Sequence, residues 1–246
     1  MSDRLIRINR YLAGSGLGSR RKCEKYVQDG KVRVNGKMVT DLAFRVNPLE
    51  DRVTVSDKPV VYIRERTILV MNKPPGVICS VSDNQGRKTV IDIARENGFN
   101  QRLYPVGRLD IDTTGILLLT NDGILTNRLI HPRYHVGKTY TAWVEGRITE
   151  ETAAELAEGV DIGGYVTSPC TVRIIRAGEK NSKVELKIKE GKKRQIKRMF
   201  LSKGHSVIKL HRSSIAGLKF DDLGTGKIRP LKNDEEIYLK KKVGLA

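Results

Sequence analysis

Cysteine is scarce in this chain. Cys23, Cys79 and Cys170 lie far apart and form no Cys-x-x-Cys pair, so neither a disulfide framework nor a zinc knuckle is expected, and a reducing cytoplasm is the expected compartment. No apolar run approaches the roughly eighteen residues of a membrane helix. The chain is charged from Asp3 onward, so no apolar leader is expected. Acids are also in short supply, with 28 Asp and Glu against 46 Lys and Arg, a net charge of +18. A balance this basic suggests a polyanionic partner, most often nucleic acid.

The excess charge is not spread evenly. Residues 185–219 hold 11 basic and 2 acidic side chains, and residues 1–60 hold 13 and 7. The rest of the chain holds 22 and 19. Two patches therefore account for most of the charge, which is how a binding footprint looks rather than a uniformly soluble surface. With 246 residues, 39% of them hydrophobic, the chain can bury a large core and a smaller one.

Residues 1–60 read as a small domain. Ile8, Tyr11 and Leu12 have helical spacing, and a glycine-rich break at residues 14–18 follows. Ser19 is placed to cap a second helix that buries Cys23, Tyr26 and Val27. Residues 31–39 alternate around Asn35-Gly36, a hairpin signal, and residues 44–46 and 52–55 add short strands. Arg20, Arg21, Lys22 and Lys25 fall on the first turns of the second helix, away from its apolar stripe. Lys58-Pro59 reads as a linker into a second domain, 61–246.

That second domain mixes strands and helices. Strands are expected at 67–72, 115–120, 138–145, 171–175, 183–189 and 207–210. Helices are expected at 89–96, 123–131, 149–158 and 192–203, the last strongly basic. The mixture predicts an α+β fold built on a largely antiparallel sheet with flanking helices.

Chemistry concentrates in Tyr104 to Gly115, a polar loop that feeds the apolar run Ile116–Thr120. A sheet fixes the geometry of a loop at its edge, and active sites favour such positions. Arg108 and Asp110 are two apart, so in extended backbone they share a face. Taken alone, Arg-x-Asp is most simply a loop salt bridge.

The longer strings are more specific. Gly16–Val27 followed by Gly30–Gly36 resembles the alpha-L RNA-binding domain, a module that binds structured RNA without doing chemistry. The string Gly107-Arg108-Leu109-Asp110-x-x-Thr113-x-Gly115, running on to Gly123, closely resembles the catalytic motif of RNA pseudouridine synthases, in the branch acting on small- and large-subunit ribosomal RNA. Asn72-Lys73-Pro74-Pro75-Gly76-Val77, Gly137-Lys138-Thr139-Tyr140 and Glu190–Phe200 resemble that family's other motifs, in order. Together these matches cover nearly the whole chain.

The resemblance implies an isomerase that breaks a uridine's N-glycosidic bond, rotates the base and rejoins it through carbon. Atoms are conserved, so it implies no cofactor and no metal. Asp110 would be the catalytic carboxylate, acting as nucleophile or proton acceptor. Tyr140 would stack on the target base, worth roughly 1–3 kcal/mol. Lys197 would be the cation beside Asp110, with the adjacent Arg198 an alternative. Arg108 would fill the gap left by the flipped nucleotide, whose extrusion costs a few kcal/mol. Arg194, Arg198, Lys73 and the four basic residues of the second helix would contact RNA. Asp112 is expected to be structural. The implied partner is ribosomal RNA, large-subunit in preference to small-subunit, and a monomer suffices with no protein partner. The rival reading is a non-catalytic RNA-binding or ribosome-assembly factor on the same fold.

Other patterns are weaker. His131 and His135 have a helical metal spacing, but Pro132 interrupts the helix and no acid or cysteine completes a site. Gly224-Thr225-Gly226-Lys227 lacks the full spacing of a phosphate loop. Asp110 with Asp112 lacks the separation of a glycosidase pair.

Overall fold

The computed structural model describes residues 5–245. Met1 to Arg4, part of the charged opening, lie outside that range, as does Ala246. The chain divides into two units, Met1–Arg66 and Thr67–Ala246.

In the first unit, β1 (Ile6–Arg7) leads directly into α1 (Ile8–Gly14). The helix α2 (Arg20–Gln28) is capped by Ser19, whose hydroxyl oxygen accepts the Lys22 N–H at 3.2 Å. β2 (Val32–Val34) and β3 (Lys37–Met38) form the expected hairpin. Asn35 and Gly36 both take positive φ, 51° and 80°, as a primed turn requires. β4 (Arg45–Val46) pairs with β1, while β5 (Val53–Val55) and β6 (Lys58–Val60) extend the hairpin to a four-stranded sheet. Ile8, Tyr11, Leu12, Cys23 and Val27 bury against the valines of this sheet. Tyr26 is only half-buried. Lys58-Pro59 is thus a strand rather than a linker. It lies at the sheet edge, where the missing N–H of Pro59 leaves no ladder bond unmade. Tyr62 then stacks on Tyr11 with ring centroids 5.5 Å apart, so the first unit runs on to Arg66 rather than ending at residue 60.

The second unit is built on one nine-stranded sheet. Its strands are β7 (Ile68–Lys73), β8 (Tyr104–Pro105), β9 (Thr114–Thr120), β10 (Lys138–Glu145), β11 (Thr171–Arg176), β12 (Asn181–Ile188), β13 (Val207–Ile215), β14 (Leu218–Lys219) and β15 (Ile228–Pro230). The order along the sheet is β11-β12-β10-β13-β9-β7-β15, with β14 paired to β13 and β8 to β9. The helices are α3 (Val90–Glu96), α4 (Gly123–Ile130), α5 (Glu150–Glu158), α6 (Gln195–Leu201) and α7 (Asn233–Lys242). Residues from α3, α5 and α6 join a core on one face, and residues from α4 and α7 join a core on the other. Among the described residues, no helix is long and apolar enough to cross a membrane.

The basic helix is shorter than expected. It starts at Gln195, because Arg194 takes left-handed backbone (φ 52°) and residues 192–194 form a turn. β13 is longer than expected, reaching Ile215. β15 and α7 were not anticipated. α7 buries only Leu239, so it carries no apolar stripe to read.

One junction joins the two halves of the sheet. Every paired neighbour in it is antiparallel except β9 with β13, which run parallel over His211↔Thr114 and Arg212↔Gly115. Gly115 has φ +108°, and a Cβ placed there would lie 2.3 Å from the Arg212 carbonyl oxygen. Only glycine allows the two backbones this close. Gly115→Ala should therefore cost about 2–5 kcal/mol, from overpacking plus left-handed backbone strain. Urea denaturation of the variant against the parent chain measures it.

Candidate active site

The loop from Val106 to Thr113 hangs between β8 and β9. Gly107 turns it with φ +77°, and the Thr113 N–H closes a turn onto the Asp110 carbonyl at 3.1 Å. Beneath it lies Lys73, at the end of β7 and 0% exposed. Its ammonium donates to the carbonyls of Pro74 (2.9 Å), Ile111 (3.2 Å) and Thr113 (2.9 Å). The Gly76 N–H also donates to the Ile111 carbonyl, at 2.9 Å. Burial lowers the Lys73 pKa, while Cys79, Asp112 and Asp110 pull it back up. The expectation that Lys73 meets RNA is therefore corrected: all three ammonium protons are spent on backbone carbonyls inside the protein, where they tie the Lys-Pro turn to the Asp110 loop. Cys79, which no sequence pattern marks, accepts the Leu109 N–H at 3.3 Å. Burial raises its thiol pKa.

Asp110 is partly buried and Arg108 exposed. With Tyr140, Lys192 and Arg194 they line one cavity of about 90 Å3, floored by Ile188, Ile196 and Leu210. Tyr140, from β10, is 8% exposed. Residues remote in sequence thus meet at one cavity beside the junction of β9 and β13.

Arg212, on β13, stands behind Tyr140 and is 2% exposed. Its Nε donates to the Ile116 carbonyl at 2.6 Å, and Nη1 lies 3.5 Å from the Tyr140 hydroxyl. The guanidinium carbon is 6.0 Å from the Tyr140 ring centroid. These contacts tie β13 to β9 and set the guanidinium beside Tyr140. Sequence reasoning missed it, because one arginine in a basic tract carries no signal of burial.

The turn that presents Arg194 is clamped from below. Glu190 accepts from Tyr165 Oη (2.7 Å), Ser168 N (3.0 Å), Ser168 Oγ (3.1 Å) and Gln195 Nε2 (2.7 Å). Burial pushes the Glu190 carboxyl up, but these donors outweigh it and hold it below its ordinary value. Gln195, itself buried, accepts the Lys192 N–H at 3.0 Å. The left-handed backbone at Arg194 is held by this network.

Lys197 does not stand on Asp110. Its ammonium is 2.5 Å from Asp112 Oδ2, and Arg198 donates to the Gly163 carbonyl at 3.1 Å. Burial raises the Asp112 carboxyl, but Lys197, its own backbone N–H and Arg194 together hold it below its ordinary value. The reason is local. Asp112 projects outward from the loop toward α6, which places Lys197 and Arg198 in a neighbouring cleft of about 230 Å3 with Asp112, Arg194 and Leu201. Arg194 borders both cavities. In the first unit, Arg20, Arg21, Lys22 and Lys25 are all exposed on α2.

Lys138, two residues before Tyr140, offers a pH signature. Burial, aided by the charge of Arg212, pushes its amine down to about 8 from 10.5. Between those values the unfolded chain holds the proton and the folded chain has lost it, so stability should rise with pH across the window. Lys138→Met should flatten that rise, as read from urea midpoints taken below pH about 8 and near 10.5.

Residues 67–202 match the RNA pseudouridylate synthase family, and residues 6–53 match the S4 domain. The chain is 41% identical over 236 residues to ribosomal large subunit pseudouridine synthase B of Bacillus subtilis (strain 168), covering 95% of each protein. It is 34% identical over 233 residues to ribosomal small subunit pseudouridine synthase A of Escherichia coli (strain K12), covering 94% of this chain and 98% of that one. A crystal structure of a pseudouridylate synthase superposes with a TM-score of 0.67 at 31% identity, over 95% of this chain and 99% of that one. This chain belongs to the RNA pseudouridylate synthase family, as an isomerase with an N-terminal S4 domain.

Proposed function

We propose that this protein isomerises a uridine of ribosomal RNA to pseudouridine, with the large-subunit RNA as substrate. The observation that carries the catalytic reading is the convergence of Asp110, Tyr140, Arg108 and Arg194 on one cavity. A flipped uridine entering there meets a carboxylate, an aromatic ring and two cations. Asp110 acts on the sugar or base as the N-glycosidic bond breaks, and no atom is gained or lost overall. Tyr140, backed by Arg212, is the platform for the base. Arg108, exposed at the rim, fills the space the nucleotide leaves, and extrusion costs a few kcal/mol. Arg194, with Lys192 beside it, offsets that cost through phosphate contacts.

Lys197 serves from the neighbouring cleft. Its bond to Asp112 links α6 to the Asp110 loop, so it positions the carboxylate's loop rather than pairing with the carboxylate. The greater identity to the large-subunit relative than to the small-subunit one supports the choice of substrate. Scarce, widely spaced cysteines and a net charge of +18 suit a cytoplasmic protein that works on RNA.

Asp110→Asn keeps the shape of the side chain and removes its charge. It should lower pseudouridine formation in transcribed large-subunit rRNA by about 10³-fold or more while leaving RNA affinity intact. Equal turnover by the variant would sink the assignment of Asp110, whereas no turnover by the parent chain would favour an RNA-binding or assembly role for the fold.

The exposed base of α2 is the expected grip of the S4 domain. Changing Arg20, Arg21 and Lys22 to Ala should weaken RNA binding and reduce the salt slope of log K by about 3. Filter binding across a salt series measures it, and an unchanged slope removes α2 from the footprint.

A further inference from the structure

The basic tract at residues 185–219 does not stay on one side of the sheet. Lys192, Arg194, Lys197 and Arg198 surround the two cavities. Lys187 and Lys209 point the other way. Strand residues alternate between faces: Tyr140, Ala142 and Val144 enter the core, which puts Thr139, Thr141 and Trp143 on the opposite face.

Across β11, β12, β10 and the first residues of β13, up to His211, that opposite face is open, whereas Ser214 and Ile215 further along β13 are buried. Val184, Leu186 and Ile188 are buried, whereas Lys183, Glu185 and Lys187 are half-exposed or exposed. The register sets Lys209, Trp143, Lys183 and Arg176 in one row across the four strands. Trp143 is the chain's one tryptophan and is half-exposed. The ammonium groups of Lys183 and Lys209 lie 5.2 and 5.0 Å from its ring centroid, one from each neighbouring strand. The next row brings Arg173, paired to Glu185 at 2.9 Å. Among the described residues Arg176, Lys183, Lys187 and Lys209 form no ion pair. The acids on this face are Glu185 and, at the strand end, Glu145.

We propose that this face is a second RNA-binding surface, taking a segment of the RNA remote from the target uridine, with Trp143 against a base or ribose and the flanking lysines on phosphates. Charge complementarity selects the occupant. A second copy of this chain docked through a two-fold axis would set cation against cation. RNA offers both the phosphate charge and the apolar base that an aromatic ring framed by lysines on an open sheet recognises. The proposal rests on RNA being the substrate, and it extends the footprint beyond the cavity and α2.

The test uses the full chain with Arg176→Glu and Lys183→Glu together, both outside the catalytic cavity. Against transcribed large-subunit rRNA, affinity should fall about tenfold or more and the salt slope of log K by about 2. Conversion of a hairpin carrying the target uridine, too short to reach this face, should stay at the parent level. As a check independent of the variant's folding, Trp143 emission in the parent chain should shift on adding the rRNA. Unchanged affinity and slope, with Trp143 emission unmoved, overturn the proposal and leave the face to a protein partner or to solvent. Failure of the parent chain to convert any rRNA uridine overturns the rRNA reading instead, so the two failures are distinguishable.

Discussion

The close crossing of β9 and β13 is the constraint on which the catalytic unit depends. Two antiparallel half-sheets meet there through one short parallel contact, and the approach is so tight that Gly115 has no room for a side chain. The Asp110 loop ends at that glycine, Tyr140 lies on the next strand beyond β13, and Arg212 sits at the contact itself with its guanidinium against the Ile116 carbonyl and Tyr140. Because the strands fix these positions, the lining of the cavity is set before any ligand arrives, and little ordering entropy remains to be lost there.

Positive charge plays two separate parts in this unit. Lys73 and Arg212 are buried: the Lys73 ammonium donates to three backbone carbonyls and Arg212 Nε to one, so they act as internal fasteners for the loop and the sheet. Arg108, Lys192 and Arg194 are exposed around a cavity and remain available to an anion. Burial explains the division. A cation out of water needs acceptors close by, as Lys73 has in its three carbonyls, whereas a cation at the surface can wait for a partner. The Glu190 network adds a third device, a carboxylate saturated by donors that holds Arg194 in backbone it would not choose alone.

The same sheet also explains why the tract 185–219 is one basic run in sequence but not one surface of the protein. Strand alternation sends Lys187 and Lys209 to one face while the turn before α6 sends Arg194 to the other. A single basic run in sequence is therefore two surfaces in space, and the row around Trp143 belongs to the second of them.

Sequence alone determined the elements with strong local causes. The Asn35-Gly36 turn, the Ser19 cap and the apolar run of β9 all depend on neighbours within a few residues, and each lies where expected. The ordered motifs likewise marked Asp110 and Tyr140 as residues of one site, because residue identities in order survive without knowledge of packing. Tertiary structure alone decided what depends on burial and on distant partners. It placed Lys73 inside rather than on the RNA, set Lys197 on Asp112, brought Arg212 behind Tyr140 and revealed α7, whose one buried residue leaves no periodic trace. The physical reason is that a side chain's charge is written in the sequence, but the dielectric and the acceptors around it are supplied by strands that meet only when the chain folds.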